Sequence, residues 1–194
     1  MKKIGLFFGS FNPIHIGHLI LANYILENSD MDELWFVVSP QNPFKDKKSL
    51  LNDHNRLDMV QVALKNYPKM RASNVEFSLP KPSYTIDTLT YLHEKYPEYS
   101  FALIMGEDNL KSLKKWKNSE VLLKNHQIII YPRTFEGGEN KSDYIQHENI
   151  AIIDAPVIEI SATKIREMIK EGKNVRPMLP PEVYEYLDGS SFYK

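Results

Sequence analysis

The chain has 194 residues, 42% of them hydrophobic and 25% charged, and a formal net charge of -1. That length suits one folded domain over residues 1–194, and the near-neutral balance argues against a nucleic-acid binder or a membrane-surface protein. Cysteine is absent, which excludes disulfides, thiolate zinc sites and cysteine nucleophiles and suits a reducing compartment. The opening "MKKIGLFFGS" has an apolar run shorter than the roughly 7–15 residues of a secretory core, and no stretch approaches the roughly 20 of a membrane span. The expected location is the cytoplasm.

Short apolar runs alternate with helical patterns along the chain. "KIGLFF" (3–8) reads as a buried strand, and "HLILANYILEN" (18–28) follows with Leu19, Leu21, Ala22, Ile25 and Leu26 at helical spacing. "ELWFVVS" (33–39) is a second strand, and "NDHNRLDMVQVALKN" (52–66) a second helix with Leu57, Val60, Ala63 and Leu64 on one face. "MRASNVEF" (70–77) is a weaker third strand, and "TIDTLTYLHEKY" (85–96) a helix stopped by Pro97. "SFALIMG" (100–106) and "HQIIIYP" (126–132) are strong strands separated by helical "NLKSLKKW" and "SEVLLKN". "NIAIID" (149–154) is a sixth strand, and "SATKIREMIKEG" and "PPEVYEYLDG" are closing helices.

Strands apolar throughout, alternating with helices, predict an α/β fold with a doubly wound parallel sheet. Ligands of such sheets bind beyond the carboxyl ends of the strands, at the switch in strand order. The segments 9–18, 40–48 and 106–116 therefore share one rim, together with the long loops 40–51 and 132–143.

On that rim, "GSFNPIHIGH" offers a tight turn at Gly9 and Ser10, amides at a helix start, and two imidazoles, His15 and His18, three positions apart. This is an anion site in chemical terms: the amides point outward and the imidazoles donate to phosphate oxygens. Zinc is disfavoured, because the histidines are not at the i, i+4 spacing of helical sites and no cysteine completes a ligand set. No protein-held metal is expected.

These residues resemble the nucleotidyltransferase superfamily, whose "HxGH" signature is shared with class I aminoacyl-tRNA synthetases. More narrowly, "FFGSFNPIHIGHL" is similar to the pattern G-G-T-F-D-P-x-H-x-G-H of bacterial nicotinate-nucleotide adenylyltransferases, and later motifs match that family in order. "PSYTIDTL" resembles its S-Y-T segment, "IMGEDNL" its G-x-D element, Trp116 its ring-stacking tryptophan, and "ISATKIR" its I-S-S-T-x-I-R element. The resemblance implies a Rossmann-like fold and transfer of AMP from ATP to nicotinate mononucleotide, with Mg2+ carried by the ATP. It implies an ATP site of Gly9, Ser10, Phe11, His15, His18, Gly106, Asp108, Ser161, Thr163 and Arg166, with His15, His18 and Arg166 catalytic. The mononucleotide would meet Lys45, Tyr84, Thr85, Asp108, Trp116 and Arg133.

Several of these residues have a blander reading as well. Ser161 is an N-cap by sequence, Asp108 a first-turn carboxylate, and Lys45 and Arg133 loop charges; Ser83 or Thr85 would cap the third helix. Arg56 and the lysines 111, 114 and 115 read as surface charge. The chain departs from the pattern at Ser10 (threonine), Asn12 (aspartate), Phe44 (histidine) and Ala162 (serine). The rivals are other "HxGH" transferases, acting on pantetheine phosphate or nicotinamide mononucleotide, and a non-catalytic nucleotide sensor. A synthetase fragment lacks room for an anticodon-binding domain. The sequence leaves oligomeric state open, and a homo-oligomer is compatible with it.

Overall fold

The computed structural model describes residues 1–40, 50–133 and 146–194. Its strands are β1 (Lys2–Gly9), β2 (Glu33–Val38), β3 (Met70–Ser73), β4 (Tyr99–Gly106), β5 (Ile128–Tyr131) and β6 (Ile150–Ile152). They form one sheet in the order β3-β2-β1-β4-β5-β6, with every described pairing parallel. The helices are α1 (Ile16–Glu27), α2 (Asp53–Leu64), α3 (Thr85–Lys95), α4 (Glu107–Leu113), α5 (Ser119–Asn125), α6 (Ala162–Lys170) and α7 (Pro181–Asp188). This is the doubly wound α/β order, with its switch point between β1 and β4.

The pleat sends alternate strand residues into two separate cores. Phe7, Phe36, Val38, Ile104 and Ile129 pack with α1, α2, α6 and α7 on one face. Ile4, Leu6, Trp35, Val37, Leu103 and Ile130 pack with α3, α4 and α5 on the other. Both faces are therefore covered, which is why the strands read as unbroken apolar runs. Among the described residues no helix is long and apolar enough to cross a membrane.

One element differs from expectation. The strand read over 70–77 stops at Ser73, and Val75–Ser78 turns into a 3-10 helix. Glu76 within it is 3% exposed and accepts the Thr88 hydroxyl of α3 at 2.9 Å. A buried carboxylate needs a donor, and the turn brings it to one.

Candidate active site

A cleft of about 1010 Å³ opens where β1 and β4 end, and every described residue of the expected site lines it. Lys45 lies outside the described residues.

The β1–α1 connection builds its centre. His15 is the N-cap of α1, extended at φ −142°, and 5% exposed. Burial, then the positive charge of Arg133, holds its pKa down to about 4, so the ring is neutral near pH 7. Its Nδ1 is buried without a hydrogen-bond partner among the described residues. The His15 amide donates to His18 Nδ1 at 3.2 Å, which sets the His18 proton on Nε2 as a donor. The two rings lie against each other, their planes tilted by 32° and their centroids 3.7 Å apart. Gly17 between them admits this packing: a Cβ there would stand 3.1 Å from His15 Nδ1 and from Ile158.

Gly9 lines the cleft, as expected, and also makes room within the loop. A Cβ at position 9 would lie 2.7 Å from the ring of Phe11, so the space is taken by the loop's own aromatic. Phe11 has a left-handed φ of +44° and is 2% exposed, with its ring edge-on to His18 at 5.2 Å. A left-handed conformation at a non-glycine persists only where surrounding contacts impose it.

Arg56 and Asn12 supply those contacts. Arg56 is not surface charge; it is fully buried. Its guanidinium donates to the carbonyls of Ser10 at 2.5 Å, Ser39 at 2.9 Å and Leu51 at 3.1 Å, and pairs with Asp53 at 2.6 Å. It thus ties the loops after β1 and β2 to the start of α2. The only sequence signal for this was Asp53 one helical turn earlier. Asn12, 2% exposed, does more than form a turn. Its Oδ1 accepts from the Leu51 amide at 3.2 Å and the Tyr193 hydroxyl at 2.6 Å, while its carbonyl accepts from Arg166 Nη1 at 2.8 Å.

The start of α6 forms one wall. Ser161 is its N-cap, accepting the Lys164 amide at 3.2 Å, and Arg166 Nη2 lies 3.3 Å from Thr163 Oγ1. Held at two points, the planar guanidinium still carries N–H groups for a ligand oxygen.

The opposite wall is more open. Gly106 caps α4, and a Cβ there would collide with Asp108 and stand 3.1 Å from Arg133 Nε. Its bareness lets Asp108 and Arg133 approach to 3.8 Å, and Arg133 also donates to the Tyr131 hydroxyl at 3.3 Å. Half-buried Trp116 points its Nε1 at Ser112 Oγ, 3.4 Å away. Tyr84, 37% exposed, is the N-cap of α3 with no side-chain cap bond; neither Ser83 nor Thr85 caps the helix, and Thr85 is its first residue. Lys117 lies 5.0 Å over the Tyr84 ring and pairs with Asp87 at 2.8 Å. Lys115 lines the cleft too. Among the described residues no three His, Asp or Glu side chains converge to hold a metal ion.

A doubly wound sheet with two adjoining imidazoles in the cleft at its switch point places an anion site where such α/β folds bind their ligands. The comparisons agree: the cytidylyltransferase-like family model matches residues 6–168. A probable nicotinate-nucleotide adenylyltransferase of Flavobacterium psychrophilum is 56% identical over 192 residues, 99% of each chain. One of Christiangramia forsetii is 53% identical over 193 residues, 100% of this chain and 99% of that one. A solved structure, the Plasmodium falciparum nicotinic acid mononucleotide adenylyltransferase complexed with NaAD, superposes with TM-score 0.81. It is 22% identical, covers 100% of this chain and 98% of that one, and speaks for the fold alone. The chain belongs to the nicotinate-nucleotide adenylyltransferase family, within the cytidylyltransferase-like proteins.

Proposed function

We propose that this protein transfers AMP from ATP to nicotinate mononucleotide, releasing pyrophosphate and forming nicotinate adenine dinucleotide, as a cytoplasmic enzyme of small molecules. The observation that carries the assignment to this site is the cleft itself, which gathers His15, His18, Ser161 and Arg166 opposite Tyr84 and Trp116.

An oxygen of the mononucleotide phosphate attacks the α-phosphorus of ATP in line; the bond to the bridging α–β oxygen breaks, and its electrons leave with pyrophosphate. The nucleophile is already anionic near neutral pH, so no general base is needed, and no covalent intermediate forms. The protein's work is alignment and charge stabilisation. His18 donates to the α-phosphate region, with the neutral His15 ring packed beside it. Arg166 and the first amides of α6, with Ser161 and Thr163, take the leaving pyrophosphate. Mg2+ carried by the triphosphate would neutralise phosphate charge there; among the described residues no three His, Asp or Glu side chains gather to hold it directly. Asp108 accepts from ribose hydroxyls. Trp116 stacks on the pyridine, whose carboxylate meets the amides of Tyr84 and Thr85, with Arg133 and Lys45 as nearby cations.

Dinucleotide formation and pyrophosphate release, measured with ATP and each of nicotinate mononucleotide, nicotinamide mononucleotide and pantetheine phosphate, test this. The first is expected to give the highest kcat/KM. Turnover of pantetheine phosphate alone, or of none of the three, would overturn the assignment.

A further inference from the structure

The segment after α7 reaches back to the centre of the site. Phe192 and Tyr193 pack against the core beneath α1, α2 and α7, and Tyr193 adopts a left-handed φ of +64°. That conformation is unfavourable for a side chain as large as tyrosine and is retained where something holds the residue. What holds it is a 2.6 Å hydrogen bond from its hydroxyl to Asn12 Oδ1, across 181 positions of sequence. Asn12 is the residue whose carbonyl takes Arg166 Nη1 at 2.8 Å, and it follows Phe11, the left-handed residue packed against His18. Asn12 thus connects the last helix region and Leu51, just before α2, through its buried side-chain amide, and the arginine at the phosphate wall through its backbone carbonyl.

We propose that Tyr193 is a positioning residue for the phosphate-binding loop: its hydroxyl latches Asn12, which in turn holds Arg166 and the β1–α1 turn in their working arrangement. The proposal rests on the function proposed above for what the loop does, but the latch itself is visible in the geometry. Burial pushes the Tyr193 phenol well above its ordinary pKa, against the opposing charges of Arg166 and Arg56. The hydroxyl therefore stays protonated, and a donor, through any pH at which the protein would be assayed. Asn12 as acceptor can be replaced by a carboxylate without loss of the bond, since aspartate accepts at the same place. Tyr193 touches no substrate in this scheme; it acts only through Asn12.

The test uses Tyr193→Phe in the full chain, which deletes one oxygen and leaves the ring packing intact. Loss of a neutral hydrogen bond that couples to the phosphate wall is expected to lower kcat about fivefold, with KM for nicotinate mononucleotide unchanged. Affinity for Mg-ATP, measured by calorimetry without the second substrate, falls by a similar factor. In an Asn12→Ala background the same substitution has no further effect, whereas in Asn12→Asp it costs as much as in the parent. A fall in melting temperature with kcat and ATP affinity unchanged would make Tyr193 merely structural and overturn the proposal. So would additive losses in the Asn12→Ala background. If the unmodified protein binds ATP but forms no dinucleotide, the assigned reaction fails while the ATP affinities still decide the latch.

Discussion

The two walls of the cleft are built on different physical terms. In the β1–α1 loop on the phosphate side, His15, Asn12 and the supporting Arg56 are nearly or wholly buried, and the loop is pinned by partners from distant sequence. Ser10 meets Arg56, and Asn12 meets Leu51, Arg166 and Tyr193. On the other side Tyr84, Trp116, Lys117 and Arg133 are half-exposed or exposed and are joined by surface pairs such as Asp87–Lys117. Exposed pairs contribute little, roughly 0–1 kcal/mol, because water and salt screen them. The contrast teaches where a transferase of this design places its rigidity. Charge stabilisation at a reacting phosphorus demands fixed donors, whereas a flat pyridine ring can be met by side chains that close on it.

The largest effect that could break this contrast is at Arg56. Arg56→Met keeps volume but strands the Ser10, Ser39 and Leu51 carbonyls, so the unfolding free energy in urea falls by about 3–5 kcal/mol. Stability within 1 kcal/mol of the parent, on the order of a surface change, would show that the phosphate wall is not held as described. Next comes His18→Ala. His18 is half-buried, so the melting temperature stays close to that of the parent, while kcat falls about 100- to 1,000-fold with the loss of one preorganised donor. Near-parental turnover would remove it from the chemistry.

The open wall yields smaller and more selective effects. Trp116→Ala raises KM for the mononucleotide about tenfold, at the low end of what stacking on an aromatic contributes per ring, and leaves KM for ATP unchanged. Equal changes in both constants would mean that Trp116 packs rather than stacks. The smallest effect is at Glu76, whose burial raises its pKa above the ordinary value. A raised carboxyl pKa favours folding below the unfolded value, and that advantage disappears as pH rises through the folded one. Glutamine does not titrate, so the melting temperature of Glu76→Gln relative to the parent climbs as pH rises above the ordinary glutamate value of 4.5 and through the raised folded one. A difference independent of pH would show that Glu76 ionises as freely in the folded chain as in the unfolded one.

The sequence by itself determined the layered fold and the rim. Short apolar runs such as "ELWFVV" and "FALIMG", alternating with helical patterns, read as strands covered on both faces, and the ends of such strands face the ligand. "HIGH" with the later motifs in order marked the residues that line the cleft, because chemistry-bearing side chains at turns stand out against an apolar background. What only the tertiary structure decided was the support. Arg56 reads as one more charge on a helix, yet the fold closes the β1 and β2 loops around it. Gly9 reads as a tight turn, and only the fold shows the Phe11 ring seated against it. Tyr193 has no motif at all and meets Asn12 only because the chain packs α7 against α2 and brings its last residues back to the β1–α1 loop. Local pattern records which residues alternate and which turn; hydrogen bonds between residues 181 positions apart follow from packing, and packing is settled only when the whole chain folds.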